Sequence, residues 1–123
     1  LLIYKDFDML FTGDAGIQAF NNIKGNIPHK VEVLKVGHHG GPQVVDNNML
    51  EHLNTQTSII STGPNAFGHP NKGTLDILRK TDIYRTDRHN SIKITSDGKV
   101  YNIFLYTPQK RKYILSKKIN VIN

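Results

Sequence analysis

The sequence predicts a single α/β domain, and three observations carry that expectation. Short β-branched runs alternate with short stretches of helical periodicity along the whole chain. Several of the strand-like runs end in glycine-rich polar loops, and strand ends are where open α/β sheets bind ligands. No internal repeat, low-complexity segment or linker divides the 123 residues, a length that fits one domain burying roughly two-thirds of its unfolded surface.

Leu1 to Tyr4 and Met9 to Thr12 read as two strands around the polar turn Lys5-Asp6-Phe7-Asp8. After Gly13-Asp14, the residues Ile17, Phe20 and Ile23 recur at helical spacing, and Gly25 supplies the stop. Asp14 therefore falls where a strand ends and a helix begins. Val31, Val33 and Leu34 to Val36 form a run suited to a buried strand, which breaks at Gly37-His38-His39-Gly40-Gly41-Pro42. Asn47 or Asn48 is placed to cap a helix carrying Met49, Leu50 and Leu53. Thr57 to Ser61 reads as the next strand and leads into Gly63-Pro64-Asn65-Ala66-Phe67-Gly68-His69-Pro70. Thr74 is the expected cap of a helix with Leu75, Ile77 and Leu78, and Ile83 to Arg85 is a short strand. Ile92 to Thr95 pairs with Val100 to Leu105 across Asp97-Gly98, a dipeptide of the kind that accepts positive φ at both central positions. Beyond Thr107, Tyr113-Ile114-Leu115 and Ile119-Asn120-Val121-Ile122 either add a strand or stay disordered.

Composition excludes several classes. With no cysteine there is no disulfide scaffold and no thiolate zinc site, so any metal must be held by His, Asp or Glu. No apolar run approaches the ~18 residues of a membrane span, and no basic start precedes an apolar stretch as in a signal peptide. Leu1 opens the apolar run Leu1-Leu2-Ile3-Tyr4 without a turn or cap, as a chain cut into the middle of a strand would. The net charge of +6 and isoelectric point near 9.6 point to an anionic partner, nucleic acid or acidic lipid. Much of the excess lies in Lys110-Arg111-Lys112 and Lys117-Lys118, which reads equally as a solvated basic terminus.

The chemistry gathers in three strand-end loops carrying Asp14, His38-His39 and His69. Carboxylate and neutral imidazole are donors that zinc, manganese or iron accept, and flanking glycines let the backbone fold closely around an ion. Taken singly each has a plainer role: Asp14 as a helix cap, His69 as a turn residue before proline. Adjacent histidines do not readily share one ion, so at most one of His38 and His39 faces a ligand while the other hydrogen-bonds behind it.

Together the segments Leu10-Phe11-Thr12-Gly13-Asp14-Ala15, Leu34-Lys35-Val36-Gly37-His38-His39-Gly40, Asn65-Ala66-Phe67-Gly68-His69-Pro70 and Ile83-Tyr84-Arg85-Thr86-Asp87 change that weighing. They resemble, over roughly residues 1 to 100, the metallo-β-lactamase-type domain found at the C-terminus of competence DNA-uptake channel proteins and in related stand-alone hydrolases. The resemblance implies an α+β sandwich, the C-terminal half of a four-layer αββα fold, over residues 1–106, followed by a basic tail at 107–123. It implies Asp14 as the aspartate that bridges two metal ions and His69 as the last histidine ligand. It gives His38 and His39 the catalytic part, with one of them touching the scissile group or shuttling a proton. Thr86 and Asp87 match a family motif without an evident physical role. Gly41 departs from the family's usual serine, and Arg88-His89-Asn90 replaces a glycine-containing turn.

The superfamily's first metal motif, His-x-His-x-Asp-His, does not occur in these residues. The resemblance therefore implies a metal-dependent hydrolase of phosphoester or nucleic-acid-type substrates, present as a fragment that is inactive alone. Its cofactors would be two divalent metal ions, zinc or manganese, held in the complete domain. The implied partners are the substrate and the missing N-terminal half, and a membrane only through a parent protein; a soluble domain, cytoplasmic or attached to a channel protein, is expected. The competing expectation is a non-catalytic nucleic-acid or partner-binding module that works through the basic tail.

Overall fold

Alternation along the strand Val33–Lys35 sets the layering: Val33 packs into one hydrophobic core, and Leu34 into another on the opposite face. The computed structural model describes residues 1–122. It is a mixed α+β fold. The first sheet contains β1 (Leu2–Tyr4), β2 (Phe7–Phe11), β3 (Val33–Lys35), β4 (Thr57–Ile60) and β5 (Asp82–Arg85), side by side in that order. β1 pairs antiparallel with β2, and β2 through β5 run parallel. Between them come α1 (Ile17–Ile23), α2 (Asn47–Leu53) and α3 (Lys72–Leu78), followed after β5 by the short α4 (Thr86–His89). A second, antiparallel sheet contains β6 (Ile92–Ser96), β7 (Val100–Thr107) and β8 (Lys112–Asn120).

Three layers result. Leu10, Leu34, Val36 and Ile60 face Phe20, Met49, Leu53 and Leu78 between the first sheet and the helices. Phe7, Val33, Ile59 and Tyr84 face Tyr101, Ile103 and Val121 between the two sheets. Tyr101 and Ile103 are fully buried, and each such side chain contributes about 1.5–3 kcal/mol through lost apolar exposure. The Tyr101 hydroxyl shares a 2.9 Å hydrogen bond with Thr57 Oγ1, so the polar tip is satisfied inside the sandwich. Burial pushes this phenol's pKa up to about 12.

Some local expectations change. The cap of α2 is Asp46, whose carboxylate accepts from Met49 N at 2.7 Å, and not Asn47 or Asn48, which open the helix itself. α3 starts earlier than Thr74; Asn71 caps it, and Thr74 is buried with its hydroxyl donating to Gly41 O at 2.7 Å. In the β6–β7 hairpin only Gly98 takes a positive φ, 96°, which glycine adopts without a steric penalty. Asp97 instead caps the turn by accepting from Lys99 N and Val100 N. The segment after Thr107 continues the sheet: Lys112–Asn120 pairs with β7 along its length. Among the described residues no helix is long and apolar enough to cross a membrane.

Candidate functional site

Because β2 to β5 run parallel, the loops that follow them all leave from one edge of the sheet. Asp14 follows β2, His38 and His39 follow β3, His69 follows β4, and Thr86 opens the turn after β5. The topology thus assembles four segments that are far apart in sequence at the carboxyl ends of the strands, the position where such sheets bind ligands.

Backbone contacts lock these loops together. His38 N donates to Gly13 O at 2.9 Å, which ties the histidine loop to the Asp14 loop. Asn71 N donates to Gly40 O at 2.8 Å, and with the Thr74–Gly41 bond this fixes the same loop to the start of α3. His38, His39 and Gly40 take φ of 44°, 55° and 76°, three successive residues in the left-handed half of φ space. Left-handed non-glycine residues cost about 1–3 kcal/mol each and collect where function holds them.

The side chains meet as follows. The His38 and His69 rings lie 5.3 Å apart between centroids at 68°. His39 stands 6.3 Å from His38, and its Nδ1 is 2.8 Å from Ser61 O. A carbonyl only accepts, so Nδ1 carries the hydrogen and a neutral His39 presents Nε2 as the basic nitrogen. His69 Nδ1 is buried without a hydrogen-bond partner. His39, Thr62, Gly63, Asn65, Phe67 and His69 line a cleft of about 210 Å³. Phe67, 82% exposed, stacks on the His69 ring at its rim.

Asp14 is exposed on the neighbouring loop. Burial lowers the pKa of Lys35, at the end of β3, and the negative charge of Asp14 partly opposes that shift. Among the described residues no three His, Asp or Glu side chains are grouped so as to hold one metal ion. Asp14 and the histidines therefore share an edge of the sheet without forming a closed ligand cage within this chain.

Other residues organise the site. Asn65 accepts from Phe67 N and His69 N and donates to His69 O at 2.7 Å, so one amide shapes the whole His69 loop. An asparagine after Gly-Pro is a turn signal, but its partners are invisible in sequence. Thr86, unassigned from sequence, is a clasp: its hydroxyl accepts from Thr62 N at 2.8 Å and donates to Thr62 O at 2.7 Å. Asp87 turns away to a bidentate pair with Arg85, whose hydrogen bonds hold its pKa below the usual value.

No protein-family model matches the chain, and no solved structure matches it. The chain is 34% identical over 105 residues to ComE operon protein 3 of Bacillus subtilis, an alignment covering 80% of the chain. It spans 13% of that protein's length. This similarity supports a competence-related family.

Proposed function

We propose that this chain, whose similarity to ComE operon protein 3 supports a competence-related family, is part of a metallo-β-lactamase-type hydrolytic domain acting on a phosphoester or nucleic-acid substrate. The observation that carries the reading is the gathering of the Asp14, His38 and His69 loops at one sheet edge, with the His38 and His69 rings in contact. Two further features support it: the unpartnered buried Nδ1 of His69 and the successive left-handed residues at His38 and His39.

In this reading Asp14 and His69 are metal donors. His38 lies against His69 and contacts the scissile group, and His39 Nε2 takes or gives a proton, its ring held by Ser61 O. The donors agree in kind with zinc or manganese. Their number does not complete a site, since a stable one takes about three or four protein ligands per ion. Donors from outside these 123 residues complete it, and the chain alone binds metal weakly. When bound, two divalent ions supply a water acidified to a pKa of about 7 and a clamp on the attacked group.

The test is metal content, read by mass spectrometry or calorimetry, of a longer polypeptide that joins this segment to a His-x-His-x-Asp-His motif. About two zinc or manganese ions are expected, with loss of metal on Asp14→Ala. Full occupancy in that variant would remove Asp14 from the ligand set. A second reading, a non-catalytic nucleic-acid-binding module, is favoured by the basic residues concentrated after Thr107.

A further inference from the structure

The whole formal charge excess of the protein resides in its smaller sheet. Residues 91–123 hold seven of the sixteen Lys and Arg but one of the ten Asp and Glu, whereas the first 90 residues hold nine of each. That single acid, Asp97, is turned into its hairpin, where it accepts from Lys99 N and Val100 N. Lys117 is paired with Asp82 at the margin of the first sheet; the remaining cations form no ion pair among the described residues.

The sheet's two faces differ. Tyr101 and Ile103 on β7 point into the sandwich, so the alternate residues, Phe104 and Tyr106 among them, point outward. Register places Phe104 between Lys93 of β6 and Leu115 of β8, Tyr106 opposite Tyr113, and Asn102 opposite Lys118. On this outer face Lys93 Nζ lies 4.6 Å from the centre of the Phe104 ring and 4.9 Å from that of Tyr113. Tyr113 in turn meets Tyr106 edge to face at 5.4 Å. The helices cover the first sheet, and none of them packs here.

We propose that this outer face, with Phe104, Tyr106 and Tyr113 interleaved with Lys93 and Lys118, is a binding platform for single-stranded nucleic acid. Flat aromatic rings offer stacking surfaces to unpaired bases of any sequence, and surrounding cations hold the phosphates. Lys93 covers two rings in the free protein; a phosphate backbone would draw its ammonium aside and open them. An anionic membrane fits less well, because the rings lie along the sheet under Lys93 and Leu115 is the main aliphatic side chain offered for insertion. The platform rests on the binding-module reading, to which it gives a defined surface on a different sheet from the strand-end loops.

The experiment is fluorescence anisotropy of the 123-residue chain with a labelled oligothymidylate, the same-length duplex, and phosphatidylserine vesicles as competitor. Binding to the single strand should weaken as salt rises. Tyr113→Ala should weaken it roughly five-fold or more while leaving the salt slope unchanged, and Tyr113→Phe should restore it. Lys118→Glu should flatten the salt slope. Ultraviolet crosslinking of the unaltered chain reads the same surface without any variant, with crosslinks expected at Phe104, Tyr106 or Tyr113. The proposal is overturned by failure to bind the oligonucleotide, by binding indifferent to Tyr113→Ala, by crosslinks confined to the strand-end loops, or by Tyr113-dependent binding to vesicles alone.

Discussion

The rings of His38 and His69, one after β3 and the other after β4, stand 5.3 Å apart at 68°. His38 hangs from the Asp14 loop through Gly13 O, and His69 from the amide of Asn65, so the contact reports the assembly of the whole sheet edge.

Gly37 is where that assembly is tightest. A Cβ built there would lie 2.9 Å from Ala15 O, 3.0 Å from Thr12 Oγ1 and 3.1 Å from Gly13 O. Two of these are backbone atoms of the Asp14 loop, and Gly37 has an ordinary φ of −70°, so the conflict is purely steric. Gly37→Ala should destabilise the fold by about 1–3 kcal/mol, read as a lower urea midpoint at unchanged slope. An unaltered midpoint would mean that the two loops are not held in contact.

Gly41 controls the orientation of His69. An added Cβ would meet His69 Cε1 at 3.1 Å and Nε2 at 3.2 Å. Gly41→Ala should therefore shift the His69 imidazole proton signals while leaving those of His29 and His52, a separate pair with rings 4.1 Å apart, in place. Identical His69 signals in the variant would contradict this packing.

Tyr101 ties the two sheets. Removing its hydroxyl in Tyr101→Phe leaves buried Thr57 Oγ1 without its partner and should lower stability by about 1–2 kcal/mol. The folded-state pKa of about 12 lies above the ordinary 10, so the unfolded chain loses this proton first as pH rises. The associated stability is present below pH 10 and is lost between 10 and about 12. The parent's thermal midpoint should fall more steeply than that of the variant across this range; parallel curves would place the phenol in solvent.

Asp8 behaves in the opposite sense to a stabilising carboxylate. Burial first, and the charge of nearby Glu32 second, raise its pKa. Glu32 is 1% exposed; its Oε2 accepts from Asp8 N at 2.8 Å and its Oε1 lies 3.3 Å from Lys30 Nζ. A raised carboxyl pKa means that the folded state holds the proton more tightly, so stability falls as pH rises through that pKa. Asp8→Asn should melt higher than the parent at pH 7, with the difference vanishing below the ordinary value of 3.8. A lower melting point at pH 7 would refute the repulsion.

The strands and the loops that follow them were legible because both follow from local pattern, β-branched runs such as Val31 to Val36 halting at glycines; the order of the strands in the sheet was not, because it depends on pairings distant in sequence. The caps were not, because Asp46 and Asn71 compete with equally good capping types beside them, and only the helix start decides. Thr86, Asn65 and Lys35 escaped for another reason, since their partners are distant in sequence or supplied by backbone. The outer face of β6–β8 was hidden because its third strand read as a basic tail, and Lys93, Phe104 and Tyr113 meet only once the register is known.

The central claim, that the edge carrying Asp14, His38 and His69 faces metal, is tested most directly on the 123-residue chain by nuclear magnetic resonance with substoichiometric Mn²⁺, whose paramagnetism reveals even weak binding. The account predicts that amide signals at 13–15, 38–40 and 68–69 broaden first and that Asp14→Asn suppresses the effect. Broadening that begins at the His29–His52 pair, or that ignores Asp14→Asn, would contradict it.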